Sequence, residues 1–485
     1  MVHAFGVLLL TAMLGSAQSP AVVARDNRLV PTRYDLRFDL APEARRLTAR
    51  AELTFRNDGT APATHATFLL YRLLKVDRVE TADGREVPFG QQVVAMSDED
   101  LWQVNRVEAT LAAPLAPGAS TTLRIDYRGA IRGYTEVMGY VQETNGPDYM
   151  LLRAETLPYP ILGEARSSAF LGLADATFDY HATFTAPEGY LATCAGDPVT
   201  LRPSGATVTS SCADSRPVHT LSFALAKFKV FEDPQAKLRV YALPEDAAAG
   251  ERILRDMKSA YAFNSDYFGP LENTPGTELI ELPDGWGSYT GPGYIFQTAA
   301  AFRDPGATRE LYHEVSHAWN ALAAPELQRT RWFDEAFAMY AQALALRHFQ
   351  GEEAYRKELN RLRTAYVNDC ARDPQGTTVA IADYGKHEIG GFSYTKGAWS
   401  LYVLHELLGE TAFQRTSTRF QREYRKRPAH FEDFRRIAEA ESGCDLNRYF
   451  AEWITGTESS ELLKGNLTVQ ALAARYGSHE GPLAH

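Results

Sequence analysis

Leu311-Tyr312-His313-Glu314-Val315-Ser316-His317-Ala318-Trp319 contains the pattern His-Glu-x-x-His. On an α-helix, positions i and i+4 share a face one turn apart. His313 and His317 can therefore direct two imidazoles at one metal ion. Glu314 stands beside the first imidazole and can reach a water on that metal without binding the metal itself. The chemistry served by this combination is hydrolysis, with a metal to polarise and a carboxylate to move a proton. The bland alternative is a surface helix that happens to carry two histidines, so the weight falls on what lies downstream. A catalytic zinc takes three protein ligands and keeps one position open. After the break at Ala323-Ala324-Pro325, a new helix begins around Arg331-Trp332-Phe333-Asp334-Glu335-Ala336-Phe337-Ala338. Glu335, in its first turn, is the candidate third ligand. Acids at a helix start also complement the helix dipole, so this reading of Glu335 depends on the upstream pair. Two His and one Glu suit Zn2+, one ion per chain.

These residues sit in a chain of 485 residues, too long for a single ordinary core, so two or three domains are expected. Hydrophobic residues make up 45% and charged residues 23%, a globular composition. A net charge of -11 argues against nucleic-acid binding through a basic surface. From Asn27 to about Val230 the pattern alternates as half-buried strands do, in Arg33–Leu40, Leu47–Phe55, Thr122–Tyr127 and Phe178–Phe184, with turns at Asn57-Asp58-Gly59 and Pro187-Glu188-Gly189. Near Lys237 the character changes. Leu238–Ala242 reads as a strand, and Pro244-Glu245-Asp246 opens a helix towards Tyr267. The strand Glu278–Leu282 then leads into the glycine-rich loop Pro283-Asp284-Gly285-Trp286-Gly287-Ser288-Tyr289-Thr290-Gly291-Pro292-Gly293. Asp304-Pro305 is a good start for the motif helix, and from there to about Gly456 most of the sequence reads as helices. The expected fold is multidomain: an antiparallel β N-terminal domain (18–233), then a mainly helical α+β catalytic domain (234–460) and a tail (461–485).

Residues 1–17 are expected to be a secretory signal, a short apolar run followed by small residues at Gly15 and Ala17, with cleavage after Ala17. The run is too short to span a bilayer, and no other stretch is apolar enough for stable membrane insertion. Export, to the periplasm or outside the cell, makes the even cysteine count meaningful. Cys194 with Cys212 and Cys370 with Cys444 are the expected disulfides, since this pairing keeps each bridge within one domain.

His313-Glu314-x-x-His317 followed by Trp332-Phe333-Asp334-Glu335-Ala336-Phe337-Ala338 resembles the zinc site of gluzincin metallopeptidases, and in particular the aminopeptidase N (membrane alanyl aminopeptidase) family. The resemblance implies a thermolysin-like catalytic domain, His313, His317 and Glu335 as zinc ligands, Glu314 as general base, and a peptide substrate. Ser393-Tyr394-Thr395-Lys396-Gly397-Ala398 is similar to the family's Tyr-x-Lys-Gly-Ala segment, whose tyrosine stabilises the oxyanion, here Tyr394. Val30-Pro31-Thr32-Arg33-Tyr34-Asp35-Leu36 fits the family's usual opening, and the resemblance covers roughly residues 27 to 456. His317-Ala318-Trp319-Asn320 is nearer in wording to the glycyl aminopeptidases, an alternative group with the same zinc chemistry.

Three departures stand out. Between His317 and Glu335 there are seventeen residues where the family usually has eighteen. Leu282-Pro283-Asp284-Gly285 replaces the family's Gly-x-Met-Glu-Asn before Trp-Gly, so the glutamate that grips a substrate's amino group aligns with Asp284 and the asparagine with Gly285. Glu155, in Arg153-Ala154-Glu155-Thr156, is a further candidate amine-binding carboxylate. The chain also ends soon after Trp453, and the resemblance then implies a short form without the large C-terminal helical domain. The functional expectation is an exported zinc aminopeptidase. The alternatives are a gluzincin endopeptidase, a hydrolase of other chemistry such as epoxide opening, and a non-catalytic binding protein on a peptidase fold.

Overall fold

Alternating apolar residues build the first half of the chain into sheets. The computed structural model describes residues 28–97, 99–133, 145–166, 176–193, 200–213, 217–271 and 276–477. The expected signal segment and Cys194 lie outside them. The chain divides into two compact units, unit 1 (Met1–Gly250, Pro275–Trp286, Gly291–Tyr294) and unit 2 (Glu251–Thr274, Gly287–Thr290, Ile295–His485). The division falls at Gly250 rather than at the 233/234 change of sequence character, because the strands on either side of that change pair with one another.

In unit 1 the strands are β1 (Leu29–Ala41), β2 (Arg46–Asn57), β3 (Ala63–Tyr71), β4 (Leu74–Thr81), β5 (Phe89–Met96), β6 (Glu99–Leu115), β7 (Ser120–Ala130), β8 (Ile161–Leu162), β9 (Asp179–Pro187), β10 (Thr200–Ser204) and β11 (Thr207–Ala213). One sheet has the order β10-β11-β9-β1-β2-β7-β4 and another the order β5-β6-β3-β8. The β1–β2 and β2–β7 pairs are antiparallel, while β1 and β9 run parallel. Their period-two pattern puts Tyr34, Leu36, Phe38, Ala51, Leu53, Phe55, Ile125 and Tyr127 in the core. Three further strands, β12 (Lys229–Asp233), β13 (Leu238–Ala242) and β14 (Thr277–Glu281), pair in sequence, the first two antiparallel and the last two parallel.

Unit 2 is helical: α1 (Gly250–Phe268), α2 (Arg309–Ser316), α3 (Phe337–Gln350), α4 (Glu352–Arg372), α5 (Lys396–Leu408), α6 (Glu410–Tyr424) and α7 (Phe431–Ser442). Phe337 to Leu346 of α3 is buried all round, which makes α3 the central helix. Under its start, Trp332, Phe337, Phe420 and Phe434 pack together, Phe337 stacked on Phe420 and the other pairs edge to face. Residues 461–477, expected as a tail, instead pack into this unit. Leu463, Val469 and Leu472 are buried, and Arg363 donates to the carbonyls of Leu463 (2.8 Å) and Leu467 (2.9 Å). No described helix is long and apolar enough to cross a membrane.

Cys212 is disulfide-bonded. Cys370 and Cys444 are free thiols, which corrects the expected bridge between them. Cys370 is buried on α4, facing the hydroxyl of Tyr366 and the ammonium groups of Lys396 and Lys464. Cys444 lies just past Gly443, whose left-handed backbone ends α7, and the Cys444 amide donates to Ser442 Oγ. The two thiols are seated in different local structures, each with other partners.

Candidate metal centre

Asp304 and Pro305 open only a short turn, with the Asp304 side chain accepting from Gly306 N at 2.8 Å. The motif helix α2 begins at Arg309, and His317 caps its C-terminal end. The i, i+4 geometry survives to that point. His313 Nε2 and His317 Nε2 are 3.2 Å apart. Glu335 Oε2 lies 3.2 Å from the first and 3.6 Å from the second. Tetrahedral zinc ligands at bond lengths of ~2.0–2.1 Å stand about 3.3–3.4 Å from one another. The three edges of this triangle match that spacing. All three side chains are nearly shielded from solvent, and Glu335 Oε2 has no hydrogen-bond partner of its own. A buried carboxylate oxygen left unpaired before two converging imidazole nitrogens fits a cation. Among the described residues this is the one group with metal-ligand spacing.

The ring states follow from the surroundings. Burial pushes His317 down to about 3, against the pull of Glu335, so it is neutral, as a ligand must be. Burial also opposes protonation of His313, but the adjacent carboxylates of Glu335 and Glu314 outweigh it and raise its pKa. The Asn320 amide meets His317 Nδ1 at 2.6 Å. The amide atom placed there is Nδ2; turning the amide over would set Oδ1 against Nδ1–H, the tautomer that leaves Nε2 its lone pair for a metal. Lys426 Nζ donates to the His317 carbonyl at 2.6 Å and closes the helix end.

Glu335 sits in a wide turn, Trp332–Ala336, whose amides at 335 and 336 both donate to Arg331 O, at 3.0 and 3.1 Å. Such π-type turns mark functional positions. Trp332 Nε1 donates to Ser400 Oγ at 2.9 Å and ties the turn to α5. Gly397 at the start of α5 permits this approach, because a Cβ there would stand 2.8 Å from Ala336 Cβ and 3.3 Å from Trp332 Cδ1. The Tyr-x-Lys-Gly-Ala segment is thereby held beside the ligand turn. Tyr394 comes within reach of Glu335 and Arg331, and its ring stacks 6.3 Å from that of His313. Burial, reinforced by Glu335, keeps its hydroxyl protonated. Lys396 turns away to Ser460 Oγ at 2.9 Å.

Glu314 is buried next to the triangle and accepts a short hydrogen bond from Thr290 Oγ1. Burial raises its pKa to about 7, partly offset by His313 and Thr290. A carboxylate poised there can take and return a proton near neutrality. One turn earlier on the same face, Glu310 accepts from Ser288 Oγ at 3.1 Å, and Ser288 in turn accepts from Thr298 N at 3.0 Å. Ser288 and Thr290 thus tie the glycine-rich loop to α2.

Asp284, Gly285 and Glu155 belong to unit 1, whereas the five residues of the metal centre belong to unit 2. Asp284 is exposed in a turn in which Trp286 N donates to Pro283 O at 3.3 Å, and Gly285 takes φ 84°. Glu155 is ion-paired with Arg153, Nε to Oε2 at 3.0 Å. Thr290, Glu310, Asn320 and Arg331 are site residues that no motif in the sequence marks. Glu310 carried a detectable signal, because it lies on the same helical stripe as His313, Glu314 and His317.

Residues 301–453 match the peptidase family M1 domain. Pig (Sus scrofa) glutamyl aminopeptidase is 23% identical over 232 residues, covering 44% of this chain and 25% of that protein. The chain spans about a quarter of the length of the curated relatives it matches. The fold is shared with an M1 zinc metallopeptidase from Deinococcus radiodurans, at TM-score 0.61 and 19% identity over 88% of this chain and 94% of the other. It is likewise shared with a variant of that protein bound to a Tyr-Ser-Ala substrate, at TM-score 0.62, 18% identity and the same coverage. Residues 301–453, which match the peptidase family M1 domain, carry the His313, His317 and Glu335 triangle with Glu314 and Tyr394 against it, and in this stretch the chain is similar to the aminopeptidase N-like gluzincins.

Proposed function

We propose that this chain is an exported zinc-dependent aminopeptidase, hydrolysing the first bond of peptides with a free amino terminus. The observation that carries the reading is the triangle of His313, His317 and Glu335 donor atoms with a buried Glu314 beside it. When bound, zinc supplies Lewis-acid polarisation and lowers the pKa of water near it. Glu314 removes a proton from the attacking water and later delivers it to the leaving amine. Tyr394 donates its hydroxyl hydrogen to the oxygen that gains negative charge at the tetrahedral carbon. Asp284 and Glu155 are the carboxylates proposed to attract the substrate's ammonium group, with Gly285 leaving room beside Asp284. The disulfide at Cys212 supports an oxidising compartment.

The test pairs zinc analysis with cleavage of a free and an N-acetylated peptide. One zinc per chain and cleavage of the free peptide alone is the expected result. Equal cleavage of both refutes exopeptidase action and favours the second reading, an endopeptidase, to which the exposed Asp284-Gly285 turn gives support. Glu314→Gln keeps zinc and loses hydrolysis if Glu314 is the base; an active variant removes it from that role. For export, N-terminal sequencing of the mature protein should begin at Gln18.

A further inference from the structure

Arg331 holds a backbone conformation that only a crowded site would maintain. Its φ of 62° is left-handed, a strained region for a non-glycine residue. Its neighbours fix it there. Thr330 Oγ1 donates to Ile381 O at 2.6 Å, and Ser393 Oγ donates to Thr330 O at 2.5 Å. Gly390 packs so closely that a Cβ would stand 2.7 Å from Arg331 Cγ. The result is a half-buried guanidinium with three partners. Nε donates to Asp334 Oδ2 at 2.8 Å, Nη2 donates to Glu335 Oε1 in a short contact, and Nη2 reaches Tyr394 Oη at 3.5 Å. The guanidinium carbon lies 5.8 Å from the Tyr394 ring centroid.

Two consequences follow. Glu335 has one oxygen committed to Arg331, so only Oε2 faces the two imidazoles. Tyr394 Oη accepts from the guanidinium and keeps its own hydrogen as the one it donates, towards Glu335 in the absence of substrate. We propose that Arg331 is a positioning residue: one guanidinium selects the metal-binding oxygen of Glu335 and aims the Tyr394 hydroxyl. This rests on the zinc site and the Tyr394 role proposed above. A lysine keeps the charge but presents no planar fork to serve three acceptors.

Arg331→Gly is the informative variant, because glycine accepts the left-handed backbone and removes only the side chain. Zinc affinity, measured by chelator competition, should fall about 10–100-fold. With zinc saturating, kcat should fall and KM should change little. Guanidinium ion added to the variant should restore part of both zinc affinity and kcat. The kcat losses of Arg331→Gly and Tyr394→Phe should combine to less than their product, as for groups acting together. Wild-type zinc affinity in Arg331→Gly, or full multiplication of the two losses, overturns the assignment. If circular dichroism shows that Arg331→Gly is unfolded, Arg331→Lys is read instead, and wild-type zinc affinity and kcat there overturn it equally. A wild-type protein without stoichiometric zinc would overturn the proposed function as well, whereas an active, zinc-loaded wild type with an unaffected Arg331→Gly overturns only this inference.

Discussion

The metal centre and the Leu282–Trp286 loop are built on opposite principles. At the metal centre Glu314 is held by Thr290, Glu335 by Arg331, and His317 by Asn320 and Lys426, while His313 Nδ1 is buried without a hydrogen-bond partner. In the loop, Asp284 is exposed, and a Cβ added at Gly285 would touch nothing within 4 Å, so the φ of 84° alone restrains that position. Buried polar groups are costly unless satisfied, so a reaction centre made of them tolerates few alternatives. An exposed turn can change its residues without disturbing the strand that leads into it. On the proposed reading, the reaction is over-determined by the structure, while the choice of substrate falls to an exposed turn.

Substitutions can break this contrast from either side. The largest effect is expected at Glu335→Gln, which removes the charge that three groups are arranged to meet. Zinc should be lost on dialysis and hydrolysis should fall by at least about 10³. Retained zinc and turnover would show that the centre is not built around that carboxylate. Tyr394→Phe comes next, with kcat lower by about 10²–10³ at unchanged zinc content. An unchanged kcat would remove Tyr394 from the mechanism.

Thr290→Val tests the support of Glu314 rather than Glu314 itself. The hydroxyl bonds to the carboxylate and so favours its ionised form. Without it, the pKa of Glu314 should rise further above its present value of about 7. Because the base must be ionised to act, the acid limb of the kcat/KM profile should move to higher pH, with turnover near neutrality down about tenfold. A profile that stays in place would mean that Thr290 only ties the loop to the helix. On the other side of the contrast, Asp284→Asn should leave zinc content unchanged and raise KM about tenfold for a free peptide, through loss of one exposed charge. Equal effects on free and N-acetylated peptides would dissociate Asp284 from amine binding.

The parts legible in the sequence were those with short-range periodicity. Helical spacing carried His313, Glu314 and His317, and alternation carried β1, β2 and β7 to within a few residues of their observed ends. Glu335 and Tyr394 are marked in the sequence by their resemblance to the family's motifs. Asn320 and Arg331 stand three and four residues from His317 and Glu335 but fall on no periodic pattern, whereas Thr290 and Lys426 approach through contacts distant in the chain. Lys426 lies 109 residues from the carbonyl it caps, and Tyr394 lies 63 residues from Arg331. No local pattern encodes those approaches. The Cys370–Cys444 expectation failed for the same reason, since parity and domain membership say nothing about which side chains a thiol faces. The parallel pairing of β1 with β9 was equally hidden, because strand alternation has no direction.

The smallest effect is expected at Glu281, the last residue of β14, which delivers the chain into the Asp284 loop. It is fully buried; Oε2 accepts from Leu243 N at 2.7 Å, and Oε1 has no partner. Burial pushes its pKa up to about 9, opposed by the Leu243 amide and reinforced by Asp246. The folded chain therefore keeps a proton that the unfolded chain gives up near pH 4.5, the ordinary value for this group. Stability from this group is fully present below about pH 4.5 and is lost as pH rises towards about 9. Glu281→Gln replaces the protonated acid with a neutral group of the same shape, which can accept from Leu243 N and donate towards Asp246. At pH 7 it should stabilise the chain by roughly 1–3 kcal/mol, a rise of a few degrees in Tm, and the gain should vanish below about pH 4.5. Zinc content and turnover should not change, since this carboxyl belongs to the scaffold of the loop and not to the centre. A Tm difference independent of pH would show that Glu281 is ionised in the fold and compensated there, and the scaffold under the loop would then be as tightly paired as the metal centre.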